Sequence, residues 1–133
     1  MSNLAQLQVG ESINEIQLEP VSRMDLIKYS GASGDFNPIH TIDDEAKKAG
    51  LPGIIAHGMW TMGNLATLFT ASYEEGFIQD YSIRFKGMVF LDDVITLKAT
   101  LKEKQDHNLR FTVQAVNQQG NDVLKGEVVY RQY

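Results

Sequence analysis

The feature that most constrains the fold of this chain is an uncharged stretch, residues 49–73, which contains no Asp, Glu, Lys or Arg. From His57 to Tyr73 its apolar side chains are spread around most of a helical circumference, which predicts a helix. A helix that is apolar nearly all round must be enclosed by other structure. Because Pro52, several glycines and scattered polar residues keep the stretch below about 18 consecutive apolar residues, it predicts a loop followed by a core helix and no membrane span.

The second half of the chain has the pattern of a sheet against which this helix would pack. Apolar and polar residues alternate in four segments, the period of a strand with one buried and one solvent-facing side. Short, turn-like joins between the segments predict antiparallel strands linked by hairpins into a meander. The apolar positions are 81, 83 and 85, then 95, 97, 99 and 101, then 109, 111, 113 and 115, and finally 124, 126, 128 and 130. One apolar helix against one antiparallel sheet predicts a two-layer α+β domain.

Two shorter helices are predicted in the first half of the chain. The first would cover residues 23–30, with Ser22 as its N-cap and Asp25 completing an imperfect capping box. The second would cover residues 43–48, where acidic residues come first and lysines last, with Thr41 as its cap. The residues that the first helix is expected to bury are Met24, Leu26, Ile27 and Tyr29.

A short edge strand is predicted over residues 13–19, which Pro20 ends. A sheet of four or five strands has two open edges, and it covers only part of an apolar helix. A second subunit related by a two-fold axis would cover the remainder. We therefore expect a dimer.

Composition narrows the class of protein. A formal net charge of −5 and an isoelectric point near 5.1 argue against a protein that coats nucleic acid. At 133 residues the chain is expected to be one domain, residues 1–133. With no cysteine, disulfides and thiolate nucleophiles are excluded. Because this absence fits a reducing compartment and residues 1–10 lack the apolar segment of a targeting signal, we expect a cytoplasmic protein.

Asp35 and His40, five positions apart, combine residue types suited to acid–base chemistry. Pro38 fixes its own φ and keeps Asn37 out of the α region, so the carboxylate and the imidazole are carried on a stiff loop. A carboxylate can orient or assist an imidazole that titrates near neutrality. Alone, an Asp in a glycine-rich loop is more often a turn former, but the pairing on a stiff loop favours a site.

Gly58 would lie in the first turn of the core helix, where backbone N–H groups have no helical partner. Such an N–H suits a developing oxyanion, although a glycine there also permits tight packing. His57 is expected to cap or pack at this corner. Asp35, His40 and His57 match no familiar spacing of metal ligands, so no metal is expected. The sequence also lacks a phosphate-binding loop and a serine nucleophile elbow.

The run Gly34-Asp35-Phe36-Asn37-Pro38-Ile39-His40, followed by His57-Gly58-Met59, resembles the MaoC-like hydratase/dehydratase family, whose members include (R)-specific enoyl-CoA hydratases. The resemblance extends from about residue 10 to the end. It implies a hot-dog fold, an antiparallel sheet wrapped around a long central helix, in a homodimer or a heterodimer of two such domains. It also implies that the substrate is a 2-enoyl or 3-hydroxyacyl thioester of coenzyme A or acyl carrier protein, and that no metal or redox cofactor takes part.

On this resemblance Asp35 and His40 are the catalytic pair and Gly58 supplies the oxyanion donor. Asn37, His57, Met59 and Trp60 are the residues expected to contact substrate. Lys47, Lys48, Arg84 and Lys86 are candidates for contacting a carrier phosphate, against the alternative of a solvated face. One departure is Ala66, at a position where several relatives carry a Ser that bonds the catalytic carboxylate.

Two other functions stay open from sequence. A hot-dog subunit that binds acyl thioesters without chemistry would have no reason to keep both Asp35 and His40. A hot-dog thioesterase would carry an acidic residue on the long helix, and residues 57–73 contain none.

Overall fold

The computed structural model describes residues 4–133, so the first three residues of the predicted domain lie outside the described range. Two short 3₁₀ turns cover Leu4–Gln6 and Pro38–His40. The other elements, in chain order, are β1 (Ile16–Gln17), α1 (Arg23–Ser33), α2 (Asp43–Lys48), α3 (Gly58–Thr70), β2 (Gly76–Phe85), β3 (Thr96–Gln105), β4 (Asn108–Val116) and β5 (Asp122–Gln132). No helix within residues 4–133 combines the length and the apolar character needed to cross a bilayer.

The sheet is antiparallel throughout, with strand order β1-β3-β4-β5-β2. The four long predicted strands are confirmed, and β3, β4 and β5 form a meander. Of the edge strand predicted over residues 13–19, only β1 (Ile16–Gln17) forms. The prediction of a hairpin between the first two long strands is wrong, because β2 pairs with β5 at the far edge. The connection over residues 86–95 instead bonds to the first half of the chain: the Ala56 N–H donates to the Val89 carbonyl at 2.8 Å and the Asp92 N–H to the Val21 carbonyl at 2.8 Å.

Helix α3 packs against the sheet and contacts all four long strands. Its buried residues are Thr61, Leu65, Leu68 and Phe69. The Phe69 ring lies 5.0 Å from the ring of Phe111 in an edge-on arrangement and 6.4 Å from that of Tyr130. Each such fully buried apolar side chain contributes roughly 1.5–3 kcal/mol to the free energy of unfolding.

The enclosure of α3 is less complete than its composition predicts. The helix ends at Thr70, and Tyr73 beyond it is 69% exposed. In the first turn Met59 is 55% exposed. The large apolar side chains that stay open lie at the two ends of this segment, and Thr67 is exposed in its middle, so a single chain covers only part of α3.

Helix α1 begins as predicted, because both hydrogen bonds of the Ser22–Asp25 capping box are present. The predicted burial of Met24 and Ile27 is wrong: they are 56% and 46% exposed, since α1 lies on the surface and only its Leu26 and Ser30 face is covered.

The predicted cap of α2 is also wrong. Ile42 occupies the N-cap position, because Thr41 ends the preceding 3₁₀ turn by donating its N–H to the Pro38 carbonyl. An ion pair of 2.7 Å between Arg23 and Asp43 joins α1 to α2, and this partner lowers the pKa of Asp43.

Candidate active site

The loop that carries Asp35 is fixed by local hydrogen bonds. Gly34 ends α1 in the left-handed region, with φ 78°, which turns the chain away from the helix axis. Oδ1 of Asp35 accepts the Asn37 N–H at 3.2 Å, and Oδ1 of Asn37 accepts the Ile39 N–H at 3.2 Å. Pro38 opens the 3₁₀ turn that ends at His40. The stiff loop predicted from the sequence is present.

Asp35 and His40 face each other across this loop. Nδ1 of His40 lies 2.7 Å from the carbonyl oxygen of Ile55, which can only accept, so Nδ1 carries the proton. Nε2 is then the basic nitrogen of the neutral ring, and it lies 3.9 Å from Oδ2 of Asp35. This gap is too long for a direct hydrogen bond. An oxygen of water or substrate placed beside both atoms can bond to each.

The two residues differ in access to solvent. His40 is 7% exposed, whereas the side chain of Asp35 is about half exposed. The imidazole is therefore held in place by the protein, and the carboxylate forms the open side of the site.

His57 stacks on His40, with ring centroids 3.7 Å apart. Its Nε2 lies 3.3 Å from the carbonyl oxygen of Asp35 and 3.2 Å from Oγ of Ser30. Because the carbonyl can only accept, Nε2 carries the proton, and Nδ1 is buried without a partner among residues 4–133. Burial, and then the neighbouring His40, lower the pKa of His57. His57 is thus a neutral donor that ties the Asp35 loop and α1 to the start of α3.

His57 is only 2% exposed, which favours packing over contact with substrate, and that contact stays a prediction. Its place is beneath His40 and the Asp35 loop, as the capping or packing interpretation anticipated. Oδ1 of Asn37 is engaged in the loop, while Met59 is exposed and Trp60 half-buried beside the site. Contact of Asn37, Met59 and Trp60 with substrate stays a prediction.

Gly58 is the first residue of α3, and its N–H makes no hydrogen bond among the described residues. A Cβ on Gly58 would lie 2.8 Å from the ring of Phe85, closer than carbon atoms pack. Gly58 lines a cavity of about 200 Å³ together with Thr61 and Phe85. The rest of its lining is Ile55, Ala56, Gly87, Met88, Val89, Val123 and Leu124. A free N–H on a residue that lines an apolar cavity suits a carbonyl attached to a hydrocarbon chain.

Sequence reasoning missed several groups of this site. The Ile55 carbonyl that orients His40 is a backbone group and has no signature in the sequence. Thr61 follows Gly58 by three positions, the spacing of one helical face, and that signal was available. Phe85 was identified only as a strand residue, and its place over Gly58 depends on the pairing of β2 with β5.

Asp35, His40 and His57 bring ligand-type atoms within 4.8 Å of one another. Nε2 of His57 is committed to the Asp35 carbonyl and to Ser30, and its Nδ1 is buried. The groups that remain available for chemistry are the Asp35 carboxylate, the His40 imidazole and the Gly58 N–H. Ala66 offers no hydroxyl to the carboxylate, and the Asn37 N–H is its donor instead.

Residues 5–122 match the family model described as MaoC like domain. The chain is 35% identical over 114 residues to fatty acid synthase subunit beta of Aspergillus oryzae, a match that covers 82% of this chain and 6% of that protein. It is 27% identical over 128 residues to 3-hydroxybutyryl-CoA dehydratase of Methylorubrum extorquens, covering 94% of this chain and 80% of that protein. The chain thus spans a small part of the fungal subunit and most of the bacterial dehydratase.

Among solved structures, the R-hydratase PhaJ1 from Pseudomonas aeruginosa, in its unliganded form, superposes with a TM-score of 0.82 and 26% identity. The match covers 96% of this chain and 83% of that chain. The expected hot-dog fold is confirmed: a five-stranded antiparallel sheet is wrapped around a central helix.

Proposed function

Because the chain belongs to the MaoC-like domain family of hydratases and dehydratases, we propose that it catalyses the (R)-specific hydration of 2-enoyl thioesters and the reverse dehydration of 3-hydroxyacyl thioesters in fatty acid metabolism. The observation that carries the proposal is the 3.9 Å approach of Asp35 Oδ2 to His40 Nε2, with Gly58 following directly after His57, the ring stacked on His40. The names of the bacterial relatives, a 3-hydroxybutyryl-CoA dehydratase and an R-hydratase, support this class of reaction.

In the hydration direction, the thioester carbonyl accepts a hydrogen bond from the Gly58 N–H. This donor stabilises the enolate-like charge that develops on the carbonyl oxygen as water adds at C3. The apolar cavity beside Gly58 and Thr61 receives the hydrocarbon chain. The coenzyme or carrier end of the thioester leaves the cavity toward solvent.

Asp35 and His40 hold the attacking water between them. The water oxygen forms a bond to C3 while one of its protons passes to the pair, and the pair delivers one proton to C2. Since Nδ1 of His40 donates to the Ile55 carbonyl, the free lone pair of the ring is at Nε2, facing Asp35. Dehydration follows the same path in reverse. No metal or redox cofactor takes part in this proposal.

The active form in this proposal is a homodimer. Within residues 4–133, β2 is an edge strand of ten residues whose second side is unpaired, and stable proteins cover such long edges. Apolar side chains are exposed on α1, on the Asp35 loop and in the first turn of α3, at Met24, Ile27, Phe36 and Met59. A second copy of the chain, or a second hot-dog subunit, would cover such surfaces.

The test is the loss of enoyl absorbance from crotonyl-CoA, run with the wild type and with Asp35→Asn and His40→Ala. Each variant is expected to lose roughly 10²–10⁴-fold in rate, the range for a general acid–base group. Asp44→Asn and His107→Ala are matched controls, because both residues are exposed and lie in α2 and in the β3–β4 turn. All variants are compared by circular dichroism to confirm folding.

Two results would contradict the proposal. Release of free thiol without loss of the double bond would show a thioesterase. A folded wild type that hydrates neither coenzyme A nor carrier-protein thioesters would be a binding subunit or a partner-dependent one.

A further inference from the structure

The apolar cavity of about 200 Å³ that Gly58 lines, which we call the Gly58 cavity, has an exposed rim and a buried inner end. On the rim, Gly58 is exposed, and Phe85 and Met88 are 55% and 52% exposed. At the inner end, Thr61 and Leu124 are 1% and 2% exposed. A hydrocarbon chain that enters at the rim therefore runs inward along α3, from Gly58 toward Thr61.

Leu65 is the next residue inward on this face of α3. Residues four positions apart lie one above the other on a helix, and Leu65 follows Thr61 by four positions. The side chain of Leu65 is fully buried, and it is not among the residues that line the Gly58 cavity. Along α3, the cavity therefore ends between Thr61 and Leu65, and Leu65 is the side chain that closes it.

The helix face beyond Leu65 is filled by aromatic rings. Phe69, four positions further along α3, is 1% exposed, and its ring lies 5.0 Å from the ring of Phe111 and 6.4 Å from that of Tyr130. Phe111 and Tyr130 are themselves fully buried. Because protein interiors are close-packed, a ligand that extended past Leu65 would have to displace this aromatic cluster.

We propose that Leu65 sets the length of the acyl chain that the Gly58 cavity accepts, an inference that rests on the proposed function. An apolar cavity of about 150 Å³ can hold a six-carbon ring, so a cavity of about 200 Å³ accommodates roughly six to eight carbon atoms. The substrates are then thioesters of short 2-enoyl groups, with at most about eight carbons.

Calorimetric titration with saturated acyl-CoA thioesters tests this limit without requiring turnover. The series is butyryl-, hexanoyl-, octanoyl- and decanoyl-CoA. Each methylene group that enters the cavity should raise the affinity of the wild type roughly fourfold, up to about octanoyl-CoA. Decanoyl-CoA should bind roughly tenfold more weakly than octanoyl-CoA, because its chain would overpack the inner end. If the protein hydrates 2-enoyl thioesters, kcat/KM should follow the same order.

Substitution of Leu65 should move the limit. Leu65→Ala removes three carbon atoms from the inner end, so the variant should bind decanoyl-CoA at least as tightly as octanoyl-CoA. Leu65→Val removes one carbon atom, should shift the ratio of the two affinities less and in the same direction, and serves if Leu65→Ala does not fold. Leu101→Ala is the matched control, since Leu101 is a fully buried leucine of β3 outside the cavity. It should keep the chain-length order of the wild type.

Several results would overturn the inference. One is a wild-type affinity that keeps rising through decanoyl-CoA, and another is the absence of binding at every chain length. A folded Leu65 variant with the wild-type order, or the same shift in Leu101→Ala, would overturn it as well. The expected length dependence of binding supports the inference even if no enoyl thioester is hydrated, in which case the proposed function alone fails.

Discussion

The imidazole of His40 lies flat against that of His57, with ring centroids 3.7 Å apart and an interplanar angle of 20°. Two protonated rings at this distance would repel each other strongly, so at most one of the pair carries charge. Burial makes His57 the ring that stays neutral, and its Nε2–H is committed to the Asp35 carbonyl. His57 is therefore a positioning residue that supports both members of the proposed catalytic pair from beneath.

The lowered pKa of His57 makes the protein sensitive to acid. The unfolded chain takes up a proton on this residue near pH 6.5, whereas the folded protein resists it until lower pH. Between those two values the unfolded state binds more protons, so the stability rises with pH and is lost as the pH falls below about 6.5. His57→Phe, which keeps a flat ring against His40, is expected to flatten this dependence when unfolding by urea is measured from pH 5 to 7.5. An unchanged slope in the variant would show that His57 is not the group responsible.

The same His57→Phe variant separates positioning from packing. It removes the hydrogen bonds to Ser30 and to the Asp35 carbonyl, so we expect kcat for crotonyl-CoA to fall roughly tenfold in a folded protein, through a displaced Asp35 loop. His107→Phe, a substitution in an exposed turn, serves as the control. A fully active His57→Phe variant would reduce His57 to a packing residue.

Asp35 and His40 are expected to act as one unit. If both must contact the same water, the double variant Asp35→Asn with His40→Ala should be little slower than the worse single variant, because removal of either group disables the other. Single and double variants are compared by kcat/KM for crotonyl-CoA. Rate losses that multiply in the double variant would indicate two independent roles.

Features of the site that depend on adjacent residues were predictable from sequence. The Ser22–Asp25 capping box, the turn at Gly34 and the stiffness imposed by Pro38 all follow from residues within a few positions of one another. Strand periodicity likewise fixed which side chains face α3. Such signals are local, and tertiary packing did not override them.

Other features depend on contacts that periodicity does not encode. The alternation of apolar and polar residues along β2 shows which side of the strand is buried, but not which strand pairs with it. The pairing with β5 and the position of the Phe85 ring over Gly58 are therefore seen only in the structure. The exposure of Met24 and Ile27 has the same origin: a helical pattern does not say which apolar face meets the core.

A side chain at Gly58 is expected to impair catalysis far more than stability, and the reason is Phe85. In Gly58→Ala the new methyl group would meet the Phe85 ring at 2.8 Å. Because that ring is 55% exposed and free to swing away, the stability cost should stay below about 1 kcal/mol, while the altered cavity mouth should lower kcat/KM by roughly 10²-fold. Gly58→Ala combined with Phe85→Ala restores space and should recover part of the loss. No recovery would place the defect in the backbone at the start of α3.

Catalysis is expected to survive removal of metal ions. The proposed proton transfers use only Asp35 and His40, and the third residue near them, His57, is bonded to the loop. Dialysis against a strong chelator should leave the rate of crotonyl-CoA hydration within error of the untreated protein. A loss that added Zn²⁺ or Mg²⁺ restores would require a metal in the mechanism.

Thr61 supplies a prediction in which a substitution does not destabilise the protein. It is 1% exposed, and its hydroxyl oxygen is buried without a hydrogen-bond partner among residues 4–133. An unpaired buried hydroxyl costs roughly 1–3 kcal/mol, and Val has the same shape with a methyl group in its place. Thr61→Val is therefore expected to raise the melting temperature or leave it unchanged, whereas Thr61→Ser, which keeps the hydroxyl and loses a methyl group, should lower it. A Thr61→Val protein that melts well below the wild type would mean that the hydroxyl has a partner in solution, such as a water molecule in the cavity that Thr61 lines with Gly58.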